Sequence, residues 1–380
     1  MAASSAALNW LQTALRALAG LLGGVLGGAL GGVLAWGPAR AATLPEDRAE
    51  AMFHVYQGGG LTASGPALLV RKSLADRVSL TGSYYIDAVS NASIDVVTTA
   101  SPYKERRTEY GVGLDYAVRD SLVTLGMTHS TEPDYTASAM SLDVAQDTFG
   151  GMTTVNLGFT RASDKVGRHG DAAFFDTATH WQYRLGVTQI LTPRWLMSAN
   201  FEAISDEGFL GNAYRAARVF DAAVRERHPR TRSSRAIKLR AVGDLGSRNA
   251  VHAEYRYFWD TWDIKAHTAQ VGYSRYIGER WLADGFLRFY SQNGALFYSD
   301  NAATETLYVS RNRQLSTFSS VGLGAKLSYS WKRVPGKYDI KANGAYELVR
   351  FNYKDFTDIR TGNPYSFAAN VLQLYLSATF

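Results

Sequence analysis

Charged side chains recur at every second position in several apolar segments of this 380-residue sequence. In segment 249–259, for example, Glu254 and Arg256 alternate with Tyr255 and Tyr257. Because side chains of an extended strand alternate between two faces, such a strand has one apolar and one charged face. Facing charges can either select ions in a water-filled channel or pair across neighbouring strands. The candidate inward-facing charged belt comprises Lys238, Arg240, Glu254, Arg256, Asp284, Arg288, Lys326, Lys341 and Glu347.

The two signs of charge balance on the faces that we predict to point inward. The acidic residues are Asp87, Glu109, Asp115, Glu202, Glu254, Asp284, Asp339 and Glu347. The basic residues are Arg119, Arg184, Lys238, Arg240, Arg256, Arg288, Lys326 and Lys341. A pore tuned strongly to one sign of ion should carry that excess in its wall. We therefore expect a solvated, partly paired interior in preference to a selective substrate path.

A second set of acidic residues falls between the apolar segments, where we expect connecting loops. This candidate external rim comprises Glu132, Asp134, Asp260, Asp263 and Asp300. Oxygen-rich clusters can hold calcium or magnesium, but these residues lack the spacing of a defined calcium-binding loop. Ordinary solvated loop charge is the expectation, and we predict neither a metal ion nor a cofactor.

Enzyme chemistry has little support in the sequence. Cys is absent, which excludes thiol catalysis, Cys-ligated metals and covalently attached haem. His129, Ser130 and Glu132 lie close together in sequence, but a catalytic triad is defined by geometry, and no G-x-S-x-G motif is present. His252 and His267 are too few to form a zinc site. We predict no catalytic residue.

The elements that carry these residues are short strands, and we predict sixteen of them. They lie near 50–57, 65–73, 77–88, 107–118, 121–130, 134–144, 152–162, 178–190, 194–204, 231–244, 249–259, 265–276, 280–291, 314–330, 338–352 and 366–380. Many Gly and Tyr with few Pro suit strands joined by turns and flanked by interfacial aromatic residues. The fold class is therefore all-β, a transmembrane antiparallel up-and-down β-barrel; a soluble β-protein is the alternative.

The last strand, 367–380, is the most informative segment. Leu372, Leu374 and Leu376 fall on one face and polar residues on the other. We predict that Tyr375, Leu376 and the terminal Phe380 form the signal read by the barrel-assembly machinery of Gram-negative bacteria.

The connections alternate in length, as expected of an outer-membrane barrel with short periplasmic turns and longer external loops. The predicted periplasmic turns are 74–76, 119–120, 145–151, 191–193, 245–247, 277–279 and 331–337. The predicted long external loops are 89–106, 163–177, 205–230, 292–313 and 352–365, and the tight ones are 58–64, 131–133 and 260–264.

Residues 1–41 read as a cleaved secretory signal peptide, followed by a periplasmic lead-in at 42–49 and the barrel at 50–380. An apolar run at 17–35 precedes Ala39-Arg40-Ala41, which has the A-x-A form of a cleavage site. The rival interpretation is a permanent membrane helix, because Gly20, Gly24, Gly28 and Gly32 recur at close-packing spacing. Removal of residues 1–41 would take two arginines and lower the formal net charge from +6 to +4. This mild excess, without a basic run, argues against nucleic-acid binding.

Seven ordered blocks of the sequence resemble a proteobacterial family of outer-membrane barrels catalogued as "domain of unknown function 3570". They are ASIDVVTTAS (92–101), YKERRTEYGVGLDY (103–116), FGGMTTVNLGFTR (149–161), QILT (189–192), DEGFLGNAYRAARV (206–219), EYRYFWDTWDIKAHT (254–268) and RFYSQNGALFYSD (288–300). The resemblance runs from about Glu50 to Phe380. Gly151 departs from an Asp typical of the family, and GFLGNAYR replaces a typical GYLNNPYR. The resemblance implies a barrel and no established activity.

The predicted function is a porin-like channel or transport barrel of unknown substrate in the outer membrane. Its expected partners are outer-membrane lipid, lipopolysaccharide and the barrel-assembly machinery. Family members are often encoded near periplasmic redox proteins, so the resemblance implies an alternative: a sheath or docking scaffold for a periplasmic redox partner.

Overall fold

A computed structural model of the protein describes residues 42–91, 103–168 and 170–380. Sixteen antiparallel strands form a closed barrel, in which β1 pairs with the last strand, β18. Two further short strands, β10 and β11, form a separate hairpin. The strands are β1 (Arg48–Gly58), β2 (Leu61–Ala75), β3 (Val78–Asn91), β4 (Tyr103–Val118), β5 (Ser121–Thr131), β6 (Tyr135–Thr148), β7 (Thr153–Gly167), β8 (Phe175–Thr192), β9 (Trp195–Gly208), β10 (Ala216–Val219), β11 (Ala222–Arg225), β12 (Thr231–Gly246), β13 (Asn249–Asp260), β14 (Lys265–Ile277), β15 (Trp281–Gln292), β16 (Phe318–Val334), β17 (Tyr338–Asp358) and β18 (Asn363–Thr379). The predicted fold class and strand number are confirmed.

The outer face of the barrel is apolar and suited to lipid. Exposed outward-facing side chains occur all around it: Phe53, Val112, Met140, Leu185, Leu239, Leu287, Leu323 and Leu374. Their neighbours along each strand point to the opposite face, as period-two alternation requires. Such a continuous apolar surface would be unstable in water, so the soluble alternative is wrong and the barrel is a transmembrane one.

The two ends of the barrel differ. The turn end carries Arg48, Phe380 and the short connections 76–77, 119–120, 149–152, 193–194, 247–248, 278–280 and 335–337. The loop end carries the described connections 59–60, 132–134, 209–230, 261–264, 293–317 and 359–362, together with residues 168 and 170–174. At 59–60 both residues have positive φ, 56° and 81°, which two glycines adopt without strain in a two-residue hairpin turn.

One predicted long loop, 352–365, is wrong. Strand β17 continues to Asp358 and β18 begins at Asn363, so only 359–362 connects them. The extended ends bury Tyr353, Phe356 and Tyr365 in an aromatic cluster. This burial stabilises strand structure in a segment whose mixture of polar and aromatic residues is typical of a loop.

Residues 1–41 lie outside the described part, so the signal peptide stays a prediction. Barrel pairing begins at Arg48, two residues before the predicted boundary. Among the described residues, no helix has the length and apolar character needed to cross a membrane.

Candidate functional site

Polar side chains on the inner face of the barrel contact one another across intervening strands. The pairs are His54–Asp87 (2.7 Å, across β2), Arg71–Asp115 (3.8 Å, across β3), Asp143–Arg184 (2.7 Å, across β7), Glu202–Arg256 (3.5 Å, across β12) and Arg288–Glu347 (2.9 Å, across β16). Inward curvature brings alternate strands within reach on this face only. The charged side of each strand is therefore the lumen side.

The residues of the predicted belt do not form one ring. Besides the Arg256 and Arg288 pairs above, Lys238 Nζ lies 3.2 Å from Glu254, and Lys341 Nζ lies 3.2 Å from Asp339. The other three residues of the belt, Asp284, Lys326 and Arg240, form none of these ion pairs. Asp284 accepts a hydrogen bond from Ser274, the Lys326 ammonium lies 5.6 Å from the centre of the Tyr375 ring, and Arg240 is exposed opposite Glu254.

The assembly-signal residues occupy the closing strand and the end of the chain. Tyr375 faces the lumen beside Lys326, whereas the Leu376 side chain faces outward and is exposed. The exposed Phe380 ring at the turn end lies under Lys72 Nζ, 4.9 Å from its centre. Recognition by the assembly machinery stays a prediction.

Two opposite sectors of the inner wall differ in side-chain size. At mid-height the wall of β3–β6 carries Thr81, Ser83, Gly111, Gly113, Gly126, Thr128 and Ser141 around an open cavity. The wall of β13–β17 carries long side chains: Arg256, Gln270, Phe286, Arg288 and Glu347. There the Phe286 ring fills the space over Gly324. The small side chains of β3–β6, which we call the small-residue wall, therefore leave more space on their side of the lumen than the long side chains of β13–β17 do.

The long connections 209–230 and 293–317 form one body at the loop end, which we call the cap. Arg227 and Val309 exchange both backbone hydrogen bonds, each at 2.9 Å. Ala217 and Val309 are almost fully buried between the two segments. Because the segments pair with each other, neither is a free external loop.

Buried polar contacts hold the cap together and attach it to β17. Glu226 accepts hydrogen bonds from Ser310 Oγ at 2.9 Å and from the Arg311 backbone N–H at 2.8 Å. The nearly buried Arg311 guanidinium pairs with Asp300 at 2.7 Å and lies 4.4 Å from the centre of the Phe356 ring. A cap held by such contacts should be a fixed obstruction.

The cap spans the barrel mouth from one wall to another. On one side, the Tyr214 hydroxyl donates to the Asp134 carboxylate in the connection between β5 and β6. On another, the Arg313 guanidinium lies 5.1 Å from the centre of the Phe367 ring on β18. In the part of the chain that the structure describes, a space remains between segment 209–214 and the wall of β4–β9.

That space is a cavity of about 430 Å³ with a mixed acidic and aromatic lining, which we call the mouth cavity. Its carboxylates are Glu105, Glu132, Asp134, Asp164 and Asp206, and its aromatic rings belong to Tyr135, Phe209, Tyr214 and Trp262. Its cationic or titratable basic groups are His180 and Arg232. Carboxylate oxygens of Glu105, Glu132 and Asp134 lie within 4.8 Å of one another, close enough to share one cation.

His180 links two of these carboxylates. Its Nδ1 lies 2.7 Å from Asp206 and its Nε2 lies 2.9 Å from Asp164, which also accepts from the Tyr135 hydroxyl. Sequence reasoning did not select His180, although it alternates with outward residues in phase with Gln182 and Arg184. The two-residue spacing from His180 to Gln182 and Arg184 could therefore have identified His180 as an inward-facing residue.

The five predicted rim residues separate into four environments. Glu132 and Asp134 line the mouth cavity, and Asp300 pairs with Arg311 inside the cap. Asp260 is fully buried and accepts from Arg232 Nε at 2.7 Å, and Asp263 forms an exposed pair with Lys265 at 3.2 Å. Only the first two residues therefore line the mouth cavity.

The histidine arrangements considered for catalysis or zinc do not come together. The exposed His129 side chain contacts Ser138 at 2.9 Å, whereas Ser130 is buried on the inner face and accepts from Arg107 Nε at 2.9 Å. Likewise the His252 ring lies over Gly272 on the inner face, and His267 contacts the exposed Tyr255 on the outer face. Residues on opposite faces of a barrel wall cannot act on one substrate.

The ionisation of Glu132, in the connection 132–134, should make the stability of the protein depend on pH. Burial raises its pKa above the ordinary value; Arg107 lowers it, and Asp134 and Asp87 raise it further. The native protein then binds this proton more tightly than the unfolded chain does, so ionised Glu132 costs stability and the cost disappears on acidification. Relative to a Glu132→Gln variant, the unfolding free energy of the wild type should rise as the pH falls from neutral towards 4.5, the ordinary glutamate pKa. Denaturant unfolding in vesicles measures this; a difference independent of pH would contradict it.

Comparison with known proteins shows one family match. The model of the family described as "Protein of unknown function (DUF3570)" matches residues 37–178 and 171–346. A comparison with curated proteins found no match.

Several solved structures resemble the barrel. They include a bacterial polysaccharide outer membrane secretin, at 9% identity and TM-score 0.49, with 86% of this chain and 97% of that one covered. OmpT, an outer membrane protein of Vibrio cholerae, matches at 8% identity and TM-score 0.45, with coverages of 92% and 99%. The siderophore receptor PirA from Pseudomonas aeruginosa matches at 10% identity and TM-score 0.44, covering 82% of this chain and 57% of the receptor. This chain therefore spans little more than half the length of that receptor, and all three resemblances are too distant to carry an argument about function.

Proposed function

We propose that this chain, which belongs to the family described as "Protein of unknown function (DUF3570)", is a porin-like outer-membrane channel for small polar solutes. The observation that supports the proposal is the small-residue wall of β3–β6, which lines a cavity at mid-height, while the mouth cavity lies between segment 209–214 and the wall of β4–β9 at the loop end. Sixteen-stranded barrels are wide enough to contain an aqueous channel unless other parts of the chain fill them.

The location in the outer membrane of a Gram-negative bacterium is part of the same proposal. The outer apolar surface and the closing strand with its terminal Phe380 support it. Lipid, lipopolysaccharide and the barrel-assembly machinery would then be its partners, with export through a cleaved signal peptide. The redox-docking alternative rests on the family resemblance alone and stays a prediction.

A bulky side chain on the small-residue wall should obstruct the channel. Gly113 faces the lumen, and a Cβ there would meet nothing closer than 3.5 Å, so Gly113→Trp can extend its ring into the open space without a backbone clash. We expect this variant to slow the swelling of proteoliposomes in small sugars severalfold relative to wild type.

The matched control is Val112→Trp, one residue away. Val112 is 65% exposed on the outer face, so its replacement should enter lipid and leave swelling unchanged. Wild-type proteoliposomes that fail to swell would refute the channel, and equal slowing by both variants would refute the proposed path.

A further inference from the structure

The charges along the proposed path are unevenly distributed. At mid-height they are paired: Arg184 lies 2.7 Å from Asp143, and Arg71 lies 3.8 Å from Asp115. In the mouth cavity, by contrast, five carboxylates line the space together with only His180 and Arg232. The excess of negative charge is therefore confined to the loop end of the path.

The two basic groups of the mouth cavity are already engaged. His180 lies between Asp164 and Asp206, so one imidazolium faces two carboxylates. The Arg232 guanidinium pairs with the fully buried Asp260 and lies 4.6 Å from the centre of the Trp262 ring. Neither group is directed at the carboxylates of Glu132 and Asp134.

The surroundings of Glu132 and Asp134 leave much of their charge facing the cavity. Asp134 accepts a hydrogen bond from the neutral Tyr214 hydroxyl of the cap. Glu132 has Arg107 Nε at 4.0 Å, but the same guanidinium lies 2.5 Å from Glu109 and is shared with it. On the opposite wall, Arg288 pairs with Glu347 and Lys238 with Glu254, whereas the Lys326 ammonium lies against the Tyr375 ring.

We propose that the mouth cavity makes the channel cation-selective, with Glu132 and Asp134 as the main selectivity-determining residues. The inference rests on the proposed channel function and names its substrate class: inorganic and small organic cations. A cleft lined by one sign of charge with low-dielectric walls concentrates counter-ions, and this cleft lies at the loop end of the proposed path.

The test is the reversal potential of the reconstituted barrel in a planar bilayer under a potassium chloride gradient. We expect a potassium-to-chloride permeability ratio of roughly ten at low salt, the lower end of the enrichment that one-signed clefts produce. The double variant Glu132→Gln/Asp134→Asn should lose most of this preference. The control Asp76→Asn/Glu279→Gln removes the same charge from exposed turns at the other end and should keep the wild-type ratio.

The salt dependence of the wild type keeps the inference testable if the double variant does not fold. Screening lengths fall from about 10 Å near 0.1 M salt to about 3 Å near 1 M, so the cation preference should shrink across that range. A conducting barrel with no preference at low salt, or an anion preference, would overturn the inference and leave the channel function standing. A barrel without conductance or solute uptake would overturn the proposed function and this inference together.

Discussion

Replacing residues 209–229 with an Asn-Gly turn is expected to raise single-channel conductance severalfold while the barrel stays folded. This segment contributes one half of the cap and one wall of the mouth cavity. Its ends are already adjacent, because the Gly208 backbone N–H donates to the Arg230 carbonyl at 2.8 Å. A two-residue turn can therefore close the β9–β12 hairpin.

The physical reason for the large effect is that conductance is limited by the narrowest part of the path. Without the segment, Tyr214 no longer crosses to Asp134, and Val309 loses its backbone partner Arg227. Segment 293–317 then loses its pairing with segment 209–230 and keeps its contacts with β17 and β18. The width of a sixteen-stranded barrel should become the limit.

The control shortens a connection outside the cap. Residues 359–362 join β17 to β18, and the last ladder pair is Asp358 with Asn363, so an Asn-Gly replacement is equally compatible there. Conductance should not change in this control. If both variants conduct like wild type, the cap is not the constriction.

The second large effect is expected from Asp260→Asn, which should lower the free energy of unfolding by about 3 kcal/mol. Asp260 Oδ1 accepts from the backbone N–H groups of Trp262 and Ile264, both at 2.9 Å, and an Asn oxygen can keep both bonds. Its Oδ2 accepts from Arg232 Nε at 2.7 Å, and there Asn would present a donor to a donor. The decrease in unfolding free energy therefore measures the ion pair alone, because the variant leaves the largely buried Arg232 guanidinium without its carboxylate partner.

Asp263→Asn is the matched control, three residues along the same connection. Asp263 has φ of 64°, which Asn tolerates, and its pair with Lys265 is exposed. Exposed pairs contribute about 0.2–1 kcal/mol, so this variant should unfold nearly as wild type does. Denaturant unfolding in phospholipid vesicles, followed by tryptophan fluorescence, compares the two; similar losses would show that the burial of Asp260 has no special weight.

Much of the fold was readable from the sequence, because the relevant signals are local. Period-two alternation within single strands, as in segment 249–259, determined which side chains face lipid and which face the lumen. Sixteen candidate strand segments predicted the strand number, and the closing strand 367–380 with the alternation of connection lengths predicted which end carries the long loops. The exception, 352–365, failed because its aromatic residues are buried against one another and the cap, a long-range contact that no local pattern contains.

The site was decided by the tertiary structure. Alternation placed Arg288 and Glu347 in the lumen but could not pair them, because β16 lies between them and only the curvature of the wall brings them together. Asp260 and Asp263 look alike in sequence, yet only Asp260 is buried against Arg232. The mouth cavity is enclosed on one side because the cap carries Tyr214 across to Asp134, 80 residues away along the chain. The sequence alone thus determined the barrel and its two faces, whereas the route through it depends on contacts between distant segments, which only the closed barrel brings together.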